Sequence, residues 1–303
     1  MTVNDTGPPA PAWFERALAV PCTDEFVTVD GCDIHYLAWG QPGRRGLVFV
    51  HGGGAHAHWW THVAATFAEQ FRVLAIDLSG HGDSAYREHY SLETWTQEVV
   101  AVAGAGGVAG PPVVVGHSMG GFVTIATAAL HPNALAGAVV CDSPVTEPDP
   151  EVGAYHARQA LGGEGRTYTD FEEAVSRFRT VPAQPHYLPY VVDHVARQSL
   201  KAVDGGWRWK FDRNVFSQFA TSMRAVALPF LEEVTCRFAL LRSENGLVTK
   251  DIGDAMYERL GRVAPVVEIP EAGHHAMLDE PLLLLTALRT LLADWDHSEP
   301  LHR

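Results

Sequence analysis

Gly116-His117-Ser118-Met119-Gly120 is the most informative segment of this 303-residue chain. A short apolar run, Pro111 to Val115, precedes it with the character of a buried strand, and a helical pattern from Met119 to Leu130 follows it. A G-x-S-x-G pentapeptide between a strand and a helix is typical of a sharp turn that raises the serine hydroxyl above a sheet. The alternative, a glycine-rich start of a helix with a capping serine, fits this context less well. We therefore predict that Ser118 is a nucleophile.

Strand-like and helix-like segments alternate on both sides of the pentapeptide. Two strands are predicted between Glu25 and Trp39, around an Asp30-Gly31 turn. Further strand-like runs are Leu47 to Val50, Arg72 to Ile76, Ala136 to Cys141, Arg237 to Leu241 and Val266 to Ile269. Helical patterns run from Trp59 to Glu69, Ser91 to Ala103, Thr249 to Leu260 and Pro281 to Trp295. This alternation predicts an α/β fold with a mostly parallel sheet flanked by helices.

The alternation stops between residues 145 and 231. This stretch holds helical patterns, prolines and many aromatic residues, without a clear strand of the sheet. We interpret 145–231 as a helical lid that is inserted over the carboxyl edge of the sheet. Residues 25–144 and 232–297 are then the core domain. Residues 1–24, which begin with a polar stretch rich in proline and glycine, are expected to form a loosely ordered leader.

A serine hydroxyl needs a neighbouring base before it can act as a nucleophile. In folds that use G-x-S-x-G at a strand-to-helix turn, the chain order is serine, acid, histidine, so the base should come late. Glu271-Ala272-Gly273-His274-His275 follows the last predicted strand. We predict that His274, directly after Gly273, is the base, and we keep His275 as the alternative. With His274 as the base, His275 and His117 are predicted to line the substrate pocket.

A second glycine-rich loop follows the strand next to the nucleophile strand. In His51-Gly52-Gly53-Gly54, the glycines allow backbone N–H groups to approach a substrate oxygen closely. We predict that the N–H groups of Gly53 and Met119 form an oxyanion hole; the alternative is a flexible turn. His51 is expected to brace this loop, and Trp59 and Trp207 are predicted to contact substrate.

Taken together, these motifs and the segment Asp77-Leu78-Ser79-Gly80-His81-Gly82-Asp83-Ser84 resemble the motif set of the α/β-hydrolase superfamily. They are similar to the branch with a helical lid that includes haloalkane dehalogenases, epoxide hydrolases, carbon–carbon bond hydrolases and lactonases. The resemblance implies a structural role for Asp77 to Ser84. Dehalogenases and epoxide hydrolases of this fold use an aspartate where this chain has Ser118, so those two chemistries are not expected.

The resemblance leaves two candidates for the triad acid. The family commonly has a G-x-x-D pattern after the penultimate strand, but here Ser243 and Gly246 occupy those two places. Some members carry the acid after the strand that follows the nucleophile helix, which is where Asp142 lies. Because the carboxyl ends of neighbouring strands converge at one edge, we favour Asp142 and keep Glu244 as the alternative.

Composition excludes several classes of partner. The formal charge of −14 would repel nucleic acid, and no apolar run is long enough to span a membrane. The chain has four cysteines without a CxxC pair, which predicts free thiols and a cytoplasmic location. No histidine or cysteine pattern has the spacing of metal ligands, so we predict no metal site and no cofactor. The expected partner is a small-molecule substrate, and a homodimer is kept as a hypothesis.

We therefore predict a serine hydrolase that cleaves a small, largely apolar carboxylic ester or lactone through an acyl-enzyme. The aromatic residues of the insertion favour an apolar pocket. Three alternatives use the same fold: a carbon–carbon bond hydrolase, a cofactor-free oxygenase and a non-catalytic ligand receptor.

Overall fold

The computed structural model describes residues 9–146, 166–219 and 223–298. In chain order its strands are β1 (Cys22–Val29), β2 (Cys32–Trp39), β3 (Arg45–Val50), β4 (Arg72–Ile76), β5 (Ala109–His117), β6 (Gly137–Cys141), β7 (Leu200–Val203), β8 (Gly206–Trp209), β9 (Arg237–Asn245) and β10 (Val266–Gly273). Apart from β7 and β8, they form one eight-stranded sheet in the order β1-β2-β4-β3-β5-β6-β9-β10. Only the pairs β1–β2 and β2–β4 of this sheet are antiparallel. The predicted mostly parallel α/β sheet is confirmed.

Helices cover both faces of the sheet. In chain order the described α-helices are α1 (Ala12–Leu18), α2 (Thr61–Ala64), α3 (Leu92–Ala105), α4 (Met119–Leu130), α5 (Phe171–Ser176), α6 (Pro189–Gln198), α7 (Arg213–Phe219), α8 (Met223–Glu233), α9 (Lys250–Arg259), α10 (Ala276–Asp279) and α11 (Pro281–His297). Within these described segments, no helix combines the length and apolar character that crossing a bilayer requires.

The central strands are buried on both faces, which explains their continuous apolar sequences. In β3, Leu47 and Phe49 belong to the apolar cluster on one side of the sheet, and Val48 and Val50 belong to the cluster on the other side. All four side chains have no exposed surface. Because successive side chains of a strand alternate between faces, this strand contributes to the apolar core on both sides of the sheet.

The prediction of one continuous helix from Trp59 to Glu69 is wrong. The structure has a 3₁₀ turn at Ala57–Trp59, the single α-turn α2 and a second 3₁₀ turn at Ala65–Phe67. Trp60 and Val63 are fully buried, so tertiary packing from several sides outweighs the local helical preference.

The predicted leader is ordered from well before residue 24. Helix α1 buries Phe14 and Ala17, and the Phe14 ring lies 4.9 Å from that of Tyr190 and 5.6 Å from that of His62. Strand β1 begins at Cys22, so the boundary at residue 24 was placed inside a strand. Residues 1–8 lie outside the described residues.

The predicted helical lid needs two corrections. It contains an antiparallel hairpin, β7–β8. Trp207 and Trp209 of β8 are two residues apart and therefore lie on the same face of the strand. Helix α8 runs past the predicted boundary at residue 231 and packs on the core helix α4. This last part of the insertion is therefore a layer of the core, and the residues 147–165 and 220–222 of the predicted lid lie outside the described residues.

Candidate active site

Ser118 lies at the sharp turn between β5 and α4. Its backbone has φ 52° and ψ −117°, a conformation that is unfavourable for any residue except glycine. The flanking glycines are needed because their neighbours leave no room for a side chain. A Cβ at Gly116 would collide with the carbonyl oxygen of Gly120, and one at Gly120 would collide with that of His51. The G-x-S-x-G pattern is therefore a packing requirement of this turn.

A chain of hydrogen bonds joins Ser118 to His274 and Asp142. The Ser118 hydroxyl donates to Nε2 of His274 over 3.0 Å, and Nδ1–H of His274 donates to Oδ2 of Asp142 over 2.7 Å. The three residues lie at the carboxyl ends of β5, β10 and β6, which converge at one edge of the sheet. His274 and Asp142 are buried, whereas Ser118 is partly exposed. A nucleophile, a base and an acid predicted from distant segments thus meet in one site.

Asp142 is held as a carboxylate by several donors. Besides His274, it accepts hydrogen bonds from the backbone N–H groups of Leu247 at 2.7 Å, Val248 at 3.1 Å and Ser243 at 3.3 Å. Burial alone would raise the pKa of Asp142, but the charge and hydrogen bond of His274 and these N–H groups hold it below its usual value. A charged carboxylate at this place can fix the tautomer of His274 and stabilise its imidazolium.

Gly246 explains why the usual acid position of the family is empty here. A Cβ at this position would collide with the carboxylate of Asp142. The loop after β9 therefore accommodates a carboxylate from β6 only because residue 246 has no side chain. The sequence showed that an aspartate was missing at 246, but not that its absence makes room for Asp142.

Glu244, the alternative acid, is not in the triad. Its side chain is exposed, and its carboxylate accepts a hydrogen bond from the N–H of Glu271 at 2.8 Å. This contact joins β9 to the turn in β10 that precedes His274. The geometry supports Asp142 alone as the partner of His274.

The glycine-rich loop after β3 lies against Ser118. A Cβ at Gly52 would be 3.2 Å from Cβ of Ser118, and one at Gly53 would be 3.7 Å from Sδ of Met119. Gly53 is exposed, and the N–H of Met119 lies in the first turn of α4, where no intrahelical acceptor exists. The two residues predicted for the oxyanion hole are therefore adjacent to the nucleophile.

His51 braces this loop, as the sequence predicted. Its Nδ1–H donates to the carbonyl of Gly52 over 2.7 Å, and its Nε2 accepts the N–H of Leu78 over 3.1 Å. Burial lowers the pKa of His51, which keeps the ring neutral and able to act as donor and acceptor at once. The loop beside Ser118 is thus tied to the loop after β4.

His117 holds the backbone of the triad histidine, and its predicted place in the lining of the substrate pocket stays a prediction. Its side chain is buried, and Nε2–H donates to the carbonyl of His274 over 2.8 Å. Burial first, and then the neighbouring His274, lower its pKa to about 3. Its ring packs against that of His274, with the ring centroids 4.7 Å apart.

His275 and Trp59 lie together beside the triad. Their rings are 5.4 Å apart, and Nε2–H of His275 donates to the carbonyl of Pro182 over 3.1 Å. Both residues are buried, and burial, followed by His274 and His117, holds the pKa of His275 well below its usual value. A role for either ring in substrate binding stays a prediction.

Trp207 packs on another residue of the insertion, and its contact with substrate stays a prediction. Its ring lies 4.7 Å from that of Phe171 in a T-shaped arrangement, and its backbone pairs with Tyr168. An aromatic residue that the sequence analysis did not assign to the site lies against the glycine loop. The ring of Phe216 in α7 lies so near the glycine loop that a Cβ at Gly53 or Gly54 would be 3.2 Å from it; no sequence motif marks Phe216.

Two groups of side chains in the described part of the chain have ligand atoms within 4.8 Å of one another. They are His117, His274 and His275, and His35, Asp77 and Asp83. In the first group His274 uses both nitrogens in the triad, and the other two rings donate to backbone carbonyls. In the second, Asp77 is occupied by His35 and by backbone N–H groups. Hydrogen bonding accounts for both groups, and we assign a metal to neither.

Comparison with known proteins shows which family the chain resembles. The model of the alpha/beta hydrolase family matches residues 47–287. The chain is 29% identical to esterase Rv0045c of Mycobacterium tuberculosis over 272 residues, which is 86% of each chain. It is 31% identical to the pimeloyl-[acyl-carrier protein] methyl ester esterase of Edwardsiella ictaluri over 255 residues, 81% of this chain and 92% of the other. Among solved structures, E-2-(acetamidomethylene)succinate hydrolase superposes with a TM-score of 0.79 at 21% identity, covering 90% of this chain and 100% of that one.

Proposed function

Because the chain belongs to the alpha/beta hydrolase family and is a hydrolase, we propose that it cleaves a small, largely apolar carboxylic ester or lactone through an acyl-enzyme on Ser118. The observation that carries this proposal is the hydrogen-bond chain from Ser118 through His274 to Asp142. Two relatives named as esterases are consistent with it.

The first half of the proposed reaction forms the acyl-enzyme. Ser118 Oγ attacks the carbonyl carbon of the ester while Nε2 of His274 takes the hydroxyl proton. Asp142 stabilises the imidazolium that results. The carbonyl oxygen becomes negatively charged, and the N–H groups of Gly53 and Met119 would donate to it. His274 then returns the proton to the leaving alcohol, which departs and leaves an acyl group on Ser118.

The second half of the reaction releases the acid. His274 Nε2 takes a proton from water, the hydroxide attacks the acyl carbon, and the tetrahedral intermediate collapses with return of the proton to Ser118 Oγ. For a lactone the leaving alcohol stays attached to the acyl group, and the product is a hydroxy acid. Neither half requires a cofactor.

The apolar substrate class is supported by the side chains near Ser118. Phe216 lies against the glycine loop, and Trp59 packs between His275 and Phe178, with ring centroids 5.4 and 6.0 Å away. Aromatic side chains offer large apolar surfaces and few polar groups, which suits an apolar acyl or alcohol group.

A fluorophosphonate probe and a series of nitrophenyl esters of increasing chain length test the proposal. We expect the probe to label the protein at Ser118, and Ser118→Ala to abolish both labelling and ester hydrolysis. Ser176→Ala, whose hydroxyl donates a hydrogen bond to the carbonyl of Glu173 in the insertion, is the matched control and should behave as the unaltered protein. Full labelling of Ser118→Ala would contradict the proposal by placing the nucleophile elsewhere, and no labelling of the unaltered protein would favour a receptor. Oxygen consumption with a quinolone-like substrate that survives Ser118→Ala would favour an oxygenase.

The location and partners remain proposals. Cys32 and Cys141 are buried thiols without a disulfide partner, which supports a cytoplasmic location. We propose a small-molecule ester as the partner, and a homodimer stays a prediction that sedimentation analysis would test.

A further inference from the structure

A segment of the lid is hydrogen-bonded to the turn that carries His274. Residues 180–188 lie against the chain from Gly273 to Leu278. The N–H of Leu188 donates to the carbonyl of Leu278 over 2.8 Å, and Nε2–H of His275 donates to the carbonyl of Pro182 over 3.1 Å. These contacts join the lid to the base of the triad and leave the nucleophile side uninvolved.

Gln184 makes the central contacts of this junction. Its Oε1 accepts the N–H of His275 over 2.8 Å, and its Nε2 donates to Oδ2 of Asp279 over 2.8 Å. The same oxygen of Asp279 accepts the N–H of Gly273 over 2.6 Å. One amide side chain from the lid therefore controls both backbone N–H groups that flank His274, one directly and one through Asp279.

The backbone N–H groups on either side of His274 are bound by side chains and not by the sheet. The pairing of β10 with β9 shifts register between Ile269 and Gly273 and ends with the pair Gly273–Asn245, directly before His274. The carbonyl of His274 is held by His117, but the two flanking N–H groups depend on Gln184 and Asp279. Gly273 also packs closely on the amide, since a Cβ there would be 2.8 Å from Oε1 of Gln184.

We propose that Gln184 is a positioning residue which holds His274 in line with Ser118 and Asp142, so that the base is fully competent only while this lid segment is seated. The inference rests on the proposed function, because His274 must be the base of that reaction. Gln184 itself is assigned no contact with substrate. Seating of the lid and correct placement of the base would thus be one event.

Gln184→Ala tests the proposal against His186→Ala. His186 is exposed and neighbours Gln184 in the same segment, and its substitution leaves the carbonyl that Gln184 uses. A displacement of about 1 Å in a catalytic group can lower the rate by about 100-fold. We therefore expect Gln184→Ala to lower kcat and the rate of fluorophosphonate labelling by about 10- to 100-fold, with KM changed by less than about 3-fold. His186→Ala should leave both unchanged.

Gln184→Glu is a second test that preserves the size of the side chain. It replaces the Nε2 donor by an oxygen that faces the carboxylate of Asp279. The other titratable groups of this junction are Glu280, His275 and Tyr187. Two adjacent carboxylates share a proton as the pH falls, so the ratio of variant to unaltered kcat should rise at least about 10-fold from pH 8 to pH 6. A ratio that does not depend on pH would overturn the proposed contact.

The position of His274 can also be measured without turnover. The Nδ1 proton shared with Asp142 should give a proton NMR resonance far downfield, and Gln184→Ala should shift or broaden it while His186→Ala leaves it in place. If Gln184→Ala matches the unaltered protein in both kcat and this resonance, the proposal is wrong. If the unaltered protein neither labels nor hydrolyses esters, the proposed function fails, and the resonance still decides whether Gln184 positions His274.

Discussion

Two buried histidine–aspartate pairs occur among the residues that the structure describes, and they have the same local geometry. In the triad, Nδ1 of His274 lies 2.7 Å from Oδ2 of Asp142. In the second pair, Nδ1 of His35 in β2 lies 2.7 Å from Oδ2 of Asp77, which follows β4. All four side chains are almost fully buried. Both aspartates also follow a strand of the same sheet. By this contact alone, the two pairs could not be told apart.

The pairs differ in what faces the other ring nitrogen. Nε2 of His274 accepts the hydroxyl proton of Ser118 at 3.0 Å, whereas Nε2 of His35 lies 3.4 Å from the carboxylate of Asp24. Burial opposes a charge on His35, but the hydrogen bond and charge of Asp77 and the nearby acids outweigh it and raise the pKa of His35. His35 is thus an ion-pair partner between two carboxylates, and His274, the proposed base, faces a hydroxyl. A histidine–aspartate pair becomes catalytic through its third partner.

Asp142→Asn should produce the largest effect in this comparison. Without the carboxylate, His274 loses the acceptor that fixes its tautomer, and we expect kcat for a nitrophenyl ester to fall by about 10⁴-fold. Glu244→Gln is the control and should stay within about 2-fold, because Glu244 contacts only the backbone of Glu271. The reverse outcome would move the acid to Glu244.

His35→Gln should lower stability and spare the chemistry. Removing one member of a buried ion pair leaves an uncompensated charge on Asp77 and costs about 3 kcal/mol of unfolding free energy. Because the folded pKa of His35 is raised, its contribution is fully present below its unfolded pKa and is lost as the pH rises through the folded pKa. The free energy of unfolding, measured with urea at pH 6 and at pH 8.5, should therefore change less between the two pH values in the variant than in the unaltered protein. A large fall in kcat of the folded variant would contradict a purely structural role.

Moving the acid across the sheet edge sharpens the comparison further. Asp142→Gly removes the carboxylate and suits the positive φ of 45° at this position. Adding Gly246→Asp then places a carboxylate on the loop after β9, in the space that Asp142 left. We expect the double variant to regain at least about 10-fold in kcat over Asp142→Gly, since the acid acts by orienting His274. Gly246→Asp alone should destabilise the protein, because the new side chain collides with Asp142, and no recovery in the double variant would show that only residue 142 can orient the base.

Asp24→Asn should have the smallest effect. Its side chain is 70% exposed and lies 3.4 Å from His35, and exposed ion pairs of this kind contribute less than about 1 kcal/mol. Thermal unfolding in low salt should show a shift well below that of His35→Gln. An equal shift would mean that Asp24, rather than Asp77, is the main partner of His35.

The sequence predicted the parts of the site that depend on local backbone geometry. The strand–serine–helix pattern pointed to Ser118, and the glycine–histidine pair after the last predicted strand pointed to His274. Both signals are local, because each turn requires particular residues at particular positions. Asp142 was favoured through the family resemblance, but its compatibility with Gly246 depends on two chain segments about 100 residues apart meeting at one edge. The contact of Gln184 with the His274 turn has the same origin and leaves no pattern in the sequence.

Side-chain contacts were the part of the site that the sequence could not predict. His117 was assigned to the pocket because it is adjacent to Ser118, but the sequence did not show that its ring packs on that of His274 and holds the His274 carbonyl. Trp207 was assigned from composition, which did not show its contact with Phe171. Aromatic richness marked the insertion, but did not show which rings lie near the nucleophile.

The backbone of Ser118 has a consequence for the evolution of this chain. A positive φ at a residue with a side chain opposes folding by about 1–3 kcal/mol, and only the chemistry of the hydroxyl requires a side chain there. Replacement by glycine should raise the resistance to urea while abolishing hydrolysis. A descendant freed from selection for turnover would thus be expected to drift towards glycine at this turn and become a sturdier but inert protein.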